Sequence, residues 1–445
     1  MGQLTTLDTG FLRAPDPDQH ASLTLGAVAV VNGAVPDYER FKGLLAERIK
    51  SIPRCTQLLR TGWVDYPQFD IAHHVRRVAL PRPGDDAELF RAIAHALERP
   101  LDPDRPLWEC WVIEGLKDGQ WAILMKIHHG MADGGISAAH LLTRLCDDAD
   151  SDTFANHLGA KQVSPSHVGL PSWADALLQA STGNVAKVVG AAVEAILPWA
   201  RATWWGPAAP VTMRQYHTVR IPIAAVDNVC RKFGVTSNDV ALAAISEGFR
   251  TVLLHRGEQP RADSLRTLSA MLPYLPVDHD DPVQRLRTVH NRLKAKPGVA
   301  HQPGILESAL NCLPNALRSP AIQLLARLPQ RGIVTLATNV PGPRHRLQLM
   351  GQRMERVLPI PPTALQLSTG VAVLSYGDEL VFGITADYDA ATDVQRLANG
   401  IELGVARLVA LSQDSVLLFT RDRRRRSSSA FPGRRPSPPT ARARR

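Results

Sequence analysis

The pattern of apolar and polar positions predicts an α/β chain. Apolar runs at residues 21–31 and 120–127 are rich in β-branched residues and are bounded by Gly or polar residues, which is typical of buried strands. Between them, residues 38–50 and 86–97 show the spacing of amphipathic helices. This alternation of strands and helices predicts a layered α/β domain that reaches to about residue 150.

A second pattern of the same kind follows further along the chain. Its strand-like runs are residues 216–221, 333–337, 370–374 and 380–385, and its helical runs are residues 238–254 and 394–411. We therefore predict an N-terminal subdomain at 1–164, a helical linker at 165–214, a C-terminal subdomain at 215–412 and a C-terminal end at 413–445. Two α/β halves of similar size favour a ligand site between them.

The predicted linker has two interpretations. Residues 165–206 are rich in Ala, Val and Trp and contain a helical stretch that Pro198 interrupts. One interpretation is an interfacial membrane helix with its tryptophans at the level of the lipid headgroups. The other, which we favour, is a linker helix packed across two domains. No apolar stretch is long and charge-free enough to predict a transmembrane span.

The net charge of +9 belongs to the end of the chain. Residues 421–445 contain ten Arg and one Asp, so the preceding residues carry 41 basic and 41 acidic side chains. A neutral body argues against nucleic-acid binding, which normally needs a basic folded surface. The composition of this tail predicts disorder, and its arginines suit either attachment to an anionic membrane surface or no function at all.

The five cysteines lie far apart and form no Cys-x-x-Cys pair. This scattered, odd set predicts buried thiols in a reducing compartment. The first residues lack the basic and apolar regions of a secretory signal, so we expect a cytoplasmic protein.

Two adjacent histidines carry the most informative chemistry. His128 and His129 end an apolar strand, and a helix-like apolar pattern begins about ten residues later. Asp133 follows His129 by four residues, and Gly134 lets the backbone turn sharply. This arrangement places an imidazole at the edge of a sheet, where a substrate can approach it. A purely structural role for the pair is the alternative.

Other chemistry that uses histidine fits the sequence less well. Neither a His-Glu-x-x-His motif nor a cysteine pair supplies the further ligands of a zinc site, so we predict no metal. The Gly-x-Ser-x-Gly motif of serine hydrolases is also missing from the sequence. A base without a nucleophile of its own favours direct transfer, in which one substrate provides the nucleophile.

These residues resemble a known family. The segment from His128 to Gly134 matches the HHxxxDG motif of the CoA-dependent acyltransferase superfamily, which peptide condensation domains share. Five further segments narrow the resemblance to bacterial wax ester synthase/diacylglycerol acyltransferases: Leu7-Asp8 through Phe11, Pro106-Leu107-Trp108, Ser237-Asn238-Asp239-Val240, Thr338-Asn339-Val340-Pro341-Gly342-Pro343 and Phe382-Gly383-Ile384-Thr385-Ala386-Asp387. They occur in the family's order and, with the histidines, span most of residues 1–412.

The resemblance implies a fold and an activity. The fold is α/β, with two CoA-dependent-acyltransferase-like subdomains, each a mixed sheet flanked by helices, and the active-site channel between them. The activity is transfer of a fatty acyl group from acyl-CoA, as co-substrate, to diacylglycerol or a long-chain alcohol, with no bound cofactor. Such an enzyme would work peripherally on the inner face of the membrane or on a lipid-droplet surface. Two alternatives are an enzyme that uses carrier-protein-bound acyl chains and a non-catalytic lipid-binding protein.

The resemblance also assigns roles to residues of the histidine motif. His129 is the general base that removes the proton of the attacking alcohol, and no acyl-enzyme forms. A neutral imidazole with a reference pKa of ~6.5 suits this task. Asp133 holds the turn through a salt bridge, His128 supports the loop, and Gly134 permits its turn.

Two asparagines of the C-terminal half are candidate substrate or oxyanion contacts. Asn238 and Asn339 carry amide donors that a tetrahedral oxyanion would need. The alternative is that both cap or brace turns, as Asn often does.

The chain departs from the family pattern at one place. Members usually carry a Pro-x-Ser-x-Arg segment and a Gly-Asn pair before a Leu-Pro strand. Here Leu268 passes directly into Ser269-Ala270-Met271-Leu272-Pro273. The chain is therefore expected to lack that piece, which bears on activity or stability.

Overall fold

In a computed structural model, the chain forms two mixed β-sheets with helices packed against them. The structure describes residues 24–60, 63–128, 131, 138–147, 214–267, 272, 274–294, 333–340, 342–343, 345–363, 369–387 and 391–413. Predictions that fall outside these residues concern the start of the chain, the linker up to residue 213, His129, Asp133, Gly134, Cys312 and the Arg-rich tail.

The first sheet is built around the strand that carries the histidines. Its strands, in their order across the sheet, are β10 (Gln348–Leu349), β11 (Gln352–Thr363), β1 (Thr24–Asn32), β6 (Gln120–His128), β5 (Trp108–Glu114) and β4 (Val75–Ala79). Neighbouring strands are antiparallel except β4 and β5, which are parallel. A hairpin of β2 (Gln57–Leu59) and β3 (Trp63–Asp65) stands apart from this sheet.

Helices cover both faces of the first sheet. They are α1 (Tyr38–Ile49), α2 (Asp86–Glu98) and α3 (Ala138–Arg144). Side chains of α1 and α3 pack with the odd-numbered residues of β6, and α2 packs with the even-numbered residues Ala122 and Leu124. The pleat of a strand sends alternate side chains to opposite faces, which explains this division.

The second sheet has helices packed against one face. Its strands, in order, are β7 (Arg214–Pro222), β13 (Glu379–Asp387), β12 (Thr369–Tyr376), β9 (Ile333–Val340) and β8 (Arg266–Thr267). The helices are α4 (Ile223–Phe233), α5 (Ser237–His255), α6 (Pro282–Lys294) and α7 (Ala391–Gln413). They enclose an apolar core with the side chains of β7, β12 and β13 that point toward them.

The two sheets share a core where β11 lies against β12 and β13. Tyr216 and Val381 of the second sheet pack in one cluster with Leu358 and Ile360 of β11. The main chains also touch, because a Cβ atom placed on Gly383 would lie 1.8 Å from the Pro359 carbonyl oxygen. Glycine therefore permits the close approach of the two sheets at this point.

The structure confirms the predicted fold class and those predicted strands and helices that fall within the described residues, with ends that differ by a few residues. Both sheets are mixed, as expected. Cys55, Cys110 and Cys146 are buried as predicted, whereas Cys230 is half-buried. No helix within the described ranges has both the length and the apolar character to cross a membrane.

The long strand β11 was not predicted. Pro359, Pro361 and Pro362 interrupt its sequence pattern, and proline normally argues against a strand inside a sheet. The strand nevertheless pairs with β1, including Ala27 opposite Pro359. A segment of the predicted C-terminal subdomain thus completes the N-terminal sheet, and the subdomain boundaries themselves remain a prediction.

Strand β8 is short at the place where the sequence departs from the family pattern. It spans two residues and pairs in parallel with β9. Two hydrogen bonds join the residues around β8 to residues further along the chain: the Leu275 N–H donates to the Leu265 carbonyl at 3.0 Å, and the Thr267 hydroxyl donates to the Leu272 carbonyl. These bonds hold Leu272 and Leu275 next to β8, which is the last strand at this edge of the second sheet.

Candidate active site

The histidine motif begins at the C-terminal end of β6. His128 lies opposite Thr24 of β1, and its main-chain N–H donates to the Leu107 carbonyl at 2.9 Å. The His128 side chain is 8% exposed and shares a strand face with Lys126. The structure thus holds the first histidine rigidly on the face that borders the second sheet. His129, Asp133 and Gly134 lie outside the described residues.

The loop after the histidines is fixed at Met131. This side chain is fully buried beneath the first sheet. The Arg54 guanidinium donates to the Met131 carbonyl at 3.1 Å and lies over the Trp63 ring, 5.1 Å from its centroid. Arg54 therefore anchors the motif loop from the segment between α1 and β2.

The Pro-Leu-Trp segment packs against the histidine strand. Trp108 is buried opposite Ile127, and its indole N–H donates to the Cys55 carbonyl at 2.8 Å. The buried His74 ring stacks on Trp108 with 4.5 Å between ring centroids, and its Nδ1 lies 2.8 Å from the Trp108 carbonyl oxygen. Burial lowers the pKa of His74, which favours the neutral ring in this stack.

A buried lysine lies two residues before His128. Lys126 has no exposed surface, and its ammonium donates to the carbonyls of Ala96, at 2.9 Å, and Arg99. The Glu109 carboxylate lies 3.4 Å away on β5, directly opposite Lys126 in the sheet. The three ammonium donors thus have three acceptors.

This cluster carries an electrostatic cost. Burial lowers the pKa of Lys126 from 10.5 to about 8, although Glu109 favours the charged form. Burial raises the pKa of Glu109, but Lys126 and Arg76 outweigh it and hold the carboxyl pKa below its usual value. The lysine shift corresponds to roughly 3 kcal/mol against keeping the ammonium charged in the folded protein.

Helix α2 connects the histidine strand to the second sheet. At its start, Asp86 accepts from Arg356 of β11 at 2.9 Å. At its end, the Glu98 carboxylate accepts from the Arg214 N–H of β7 at 3.0 Å. Between these points Phe90 packs edge-on against Tyr216, with 5.5 Å between the ring centroids. The helix therefore contacts both sheets.

Asn238 lies in the first turn of α5, in the second half of the chain. Thr236 and Asp239 form a capping box there, and the Asp239 carboxylate also lies 2.8 Å from Nδ1 of His290. The helix is thus capped without Asn238. The Asn238 side-chain oxygen is buried and has no hydrogen-bond partner within the described part of the chain. A buried acceptor without a partner in the protein is available to a ligand or to a water molecule.

Asn339 lies in β9, and its side chain is outside what the structure describes. The same motif continues to Gly342, whose N–H donates to the Ser375 hydroxyl at 2.9 Å. A Cβ atom on Gly342 would lie 1.9 Å from the Ser375 carbonyl oxygen. This part of the motif therefore serves close packing of the chain against the end of β12.

Comparison with known proteins decides the family. The wax ester synthase/diacylglycerol acyltransferase catalytic domain matches residues 4–241, and the WS/DGAT C-terminal domain matches residues 267–408. The chain belongs to the wax ester synthase/diacylglycerol acyltransferase family. Like the other members, it is an acyltransferase, which confirms the family and enzyme class predicted from the sequence.

Two relatives from Mycobacterium tuberculosis (strain H37Rv) match over nearly their full length. A putative diacylglycerol O-acyltransferase is 66% identical over 455 aligned positions, which cover 100% of both chains. A probable diacylglycerol O-acyltransferase is 49% identical over 451 positions, covering 93% of this chain and 97% of the relative. The 455 positions exceed the 445 residues of this chain by ten, so the first relative has residues that this chain lacks.

Solved structures support the fold of this family member. The wax ester synthase/diacylglycerol acyltransferase from Marinobacter aquaeolei VT8 aligns with a TM-score of 0.56 and 22% identity, over 89% of this chain and 96% of that one. The first condensation domain of the calcium-dependent antibiotic synthetase aligns with a TM-score of 0.51 and 14% identity, over 92% and 96% of the two chains. At these identities the likeness shows the two-domain fold alone.

The sequence pattern did not predict the roles of several residues around the site. Lys126 interrupts an apolar strand, which was the available signal, but its carbonyl partners have no side-chain signature. Arg54 and Glu109 likewise find their partners only in the folded chain. Among the described residues, no group of three or more His, Cys, Asp or Glu side chains is placed to hold a metal ion.

Proposed function

We propose that this family member transfers a fatty acyl group from acyl-CoA to the hydroxyl of diacylglycerol or of a long-chain alcohol. The observation that supports this most directly is the end of β6, which places His128 of the motif on the strand face that borders the second sheet. The names of the M. tuberculosis relatives favour diacylglycerol as the acceptor. Acyl-CoA acts as co-substrate, and the reaction needs no bound cofactor.

In the proposed mechanism, His129 is the general base. Its neutral imidazole removes the proton of the acceptor hydroxyl as the alkoxide oxygen attacks the thioester carbonyl. The tetrahedral intermediate then collapses, the C–S bond breaks, and the leaving thiolate takes up the proton as free CoA thiol. The acyl group moves directly to the acceptor, so no acyl-enzyme forms. Base assistance of this kind contributes about 10²–10⁴ in rate.

The remaining motif residues hold the base in place. We propose that Asp133 fixes the turn by a salt bridge, that His128 supports the loop from its buried position, and that Gly134 permits the turn. Asn238 and Asn339 are the candidate substrate or oxyanion contacts from the second half. The unpartnered Asn238 side-chain oxygen supports a substrate contact, because an amide oxygen can accept a hydrogen bond from a hydroxyl.

A transfer assay with purified full-length protein tests this function. Labelled palmitoyl-CoA is offered with diacylglycerol, hexadecanol and a sterol, and the ester products are separated. His129→Ala should lower turnover about 10²–10⁴-fold, the range for loss of a general base. The matched control is His255→Ala, because His255 is exposed at the end of α5. Turnover by His129→Ala at the wild-type rate would refute the assigned base.

The same assay separates two other functions. Turnover with carrier-protein-bound acyl chains but not with acyl-CoA would indicate a condensation-type enzyme, whose fold this chain shares. Binding of acyl-CoA without turnover of any acceptor would indicate a non-catalytic lipid-binding protein. The short β8 segment is the feature that makes this outcome worth testing.

We also propose a peripheral location on the inner face of the membrane or on a lipid-droplet surface. Residues 421–445 carry ten arginines and one aspartate, and an arginine near anionic headgroups contributes about 1 kcal/mol to binding. A few engaged arginines would hold the enzyme where its acceptor lipid dissolves. The chemistry itself would depend on the two sheets and not on the tail.

A further inference from the structure

Lys126 is a buried charge close to the histidine motif that the proposed mechanism does not use. It lies two residues before His128 on the same face of β6, and none of its surface reaches solvent. Because the side chain is fully buried, it cannot contact a substrate that enters from solvent. Any role of the side chain in the reaction must therefore act through the position of the strand.

Its partners come from two elements outside β6. The carbonyls of Ala96 and Arg99 lie at the C-terminal end of α2, where helix carbonyls lack partners within the helix. Glu109 lies on β5 and is held in turn by Arg76, whose Nε and Nη2 donate to one carboxylate oxygen at 3.0 and 2.9 Å. The ammonium thus fixes the end of β6 against both α2 and β5.

Helix α2 extends this contact to the second half of the chain. Its last residue, Glu98, accepts from the Arg214 N–H, and Phe90 packs on Tyr216 of β7. Lys126 therefore connects the histidine strand to a helix that also touches the sheet on the other side of the site. A shift of this helix end would move the histidines relative to the second half.

The electrostatics show that this contact is not a simple gain in stability. The low pKa of Lys126 means that burial outweighs the attraction of Glu109 for the charge. Glu109 would also keep its contacts with Arg76 and with the Trp111 indole N–H, at 3.1 Å, if the lysine were absent. A buried ammonium whose burial is unfavourable, but whose three donors all have acceptors, contributes a defined geometry more than it contributes stability.

We propose that Lys126 is a positioning residue of the acyl transfer reaction, which sets the place of the histidine pair by tying the end of β6 to the end of α2. This inference rests on the proposed function, because it assumes that the histidine after His128 is the base. Lys126 itself touches no substrate. Its effect is on the rate of the chemical step and not on substrate affinity.

Substitution of Lys126 tests the inference in the full-length protein. Lys126→Met keeps the length of the stem and removes the charge and all donors, and Lys126→Gln keeps an amide donor. With palmitoyl-CoA and diacylglycerol, Lys126→Met should lower kcat about 10- to 100-fold and change KM less than threefold, since a displacement of about 1 Å can cost 10²-fold in rate. Lys126→Gln should fall between Lys126→Met and the wild type.

The matched control removes another buried cation. Arg285→Met breaks the pair with Glu247 in the helix-covered core of the second sheet, where Arg285 is 1% exposed. All variants are assayed at the same interval below their own Tm, with the folded fraction measured by circular dichroism. Arg285→Met should lower Tm but keep kcat within twofold of the wild type.

Three outcomes decide between the possibilities. A fall in kcat for the Lys126 variants that exceeds the control at equal folded fraction supports the positioning role. Wild-type kcat in Lys126→Gln, or a loss no greater than that of Arg285→Met, overturns it, and Lys126→Gln alone decides if Lys126→Met does not fold. Inactive His129→Ala beside fully active Lys126 variants would leave the proposed function standing and refute only this inference.

Discussion

The contact between the two sheets gives a sharp prediction at Gly383. A Cβ atom on this residue would lie 1.8 Å from the Pro359 carbonyl oxygen, 2.9 Å from its carbonyl carbon and 3.1 Å from the Tyr216 hydroxyl. Real Cβ atoms essentially never come within 3.0 Å of another heavy atom, so Gly383→Ala must open the gap by at least 1.2 Å. Both partners are main chain of paired strands, and neither can move alone.

The expected cost follows from this geometry. Overpacking typically destabilises by about 1–3 kcal/mol, and a clash between two strand backbones belongs at the upper end of that range. Separating the sheets also strains the hydrogen bond of the Tyr216 hydroxyl to the Pro359 carbonyl, now 2.9 Å, which contributes about 1 kcal/mol. We therefore expect Gly383→Ala to lose about 3–4 kcal/mol of stability.

Thermal unfolding, followed by circular dichroism at one fixed scan rate, measures this loss. A destabilisation of this size should lower Tm by roughly 5–10 °C. The control is Gly43→Ala in α1, where a new Cβ atom meets nothing within 4 Å, and where alanine should stabilise the helix by about 0.5–1 kcal/mol. If Gly383→Ala melts within 1 °C of the wild type, the two sheets do not approach as described.

Two further predictions concern the end of α3 and the tail. Burial raises the pKa of Asp147, but the Gly351 N–H at 2.7 Å and the Arg48 guanidinium at 2.9 Å outweigh it and lower the pKa below 3.8. A carboxyl group whose pKa is lower in the folded protein stabilises the fold above pH 3.8, and this stabilisation is lost as the pH falls through the pKa of the folded state. Asp147→Asn should therefore reduce the free energy of unfolding by about 1 kcal/mol at pH 7 and by progressively less below pH 3.8. A Tm deficit that persists undiminished at pH 2.5 would contradict this reasoning. Deletion of residues 421–445 should reduce sedimentation with anionic vesicles while kcat in detergent solution stays within twofold; loss of kcat would show that the tail takes part in turnover.

Much of the frame around the histidines could be predicted from local pattern. Strand β6 is a continuous apolar run with one lysine, and α2 has buried Leu89, Ile93 and Leu97 at intervals of four residues. Such elements can be recognised from the sequence because their apolar residues recur with the period of the helix or strand and form its buried face. The motif residues around His128 then indicated the family, which the comparisons confirmed.

The completion of the first sheet could not be predicted in this way. Strand β11 pairs with β1 over a separation of more than three hundred residues, and its three prolines hide its pattern. The pairing of β10 with β11 involves Gln352 and Arg353, so the proline-containing half of β11 lies at the edge of the sheet beside β1, and proline is tolerated in such edge positions. Only the tertiary arrangement identifies this segment as a strand.

Pro100 explains why a lysine suits position 126, two residues before His128. A residue that precedes proline is disfavoured in the helical region, and Arg99 is accordingly extended, with φ −77° and ψ 123°. The end of α2 at this point leaves its last carbonyls without partners beside β6. An apolar side chain at residue 126 would leave the Ala96 and Arg99 carbonyls without this buried donor, whereas the Lys126 ammonium binds both and complements the negative end of the helix. The sequence feature that ends α2 thus creates the acceptor site that binds Lys126 of β6, two residues before His128.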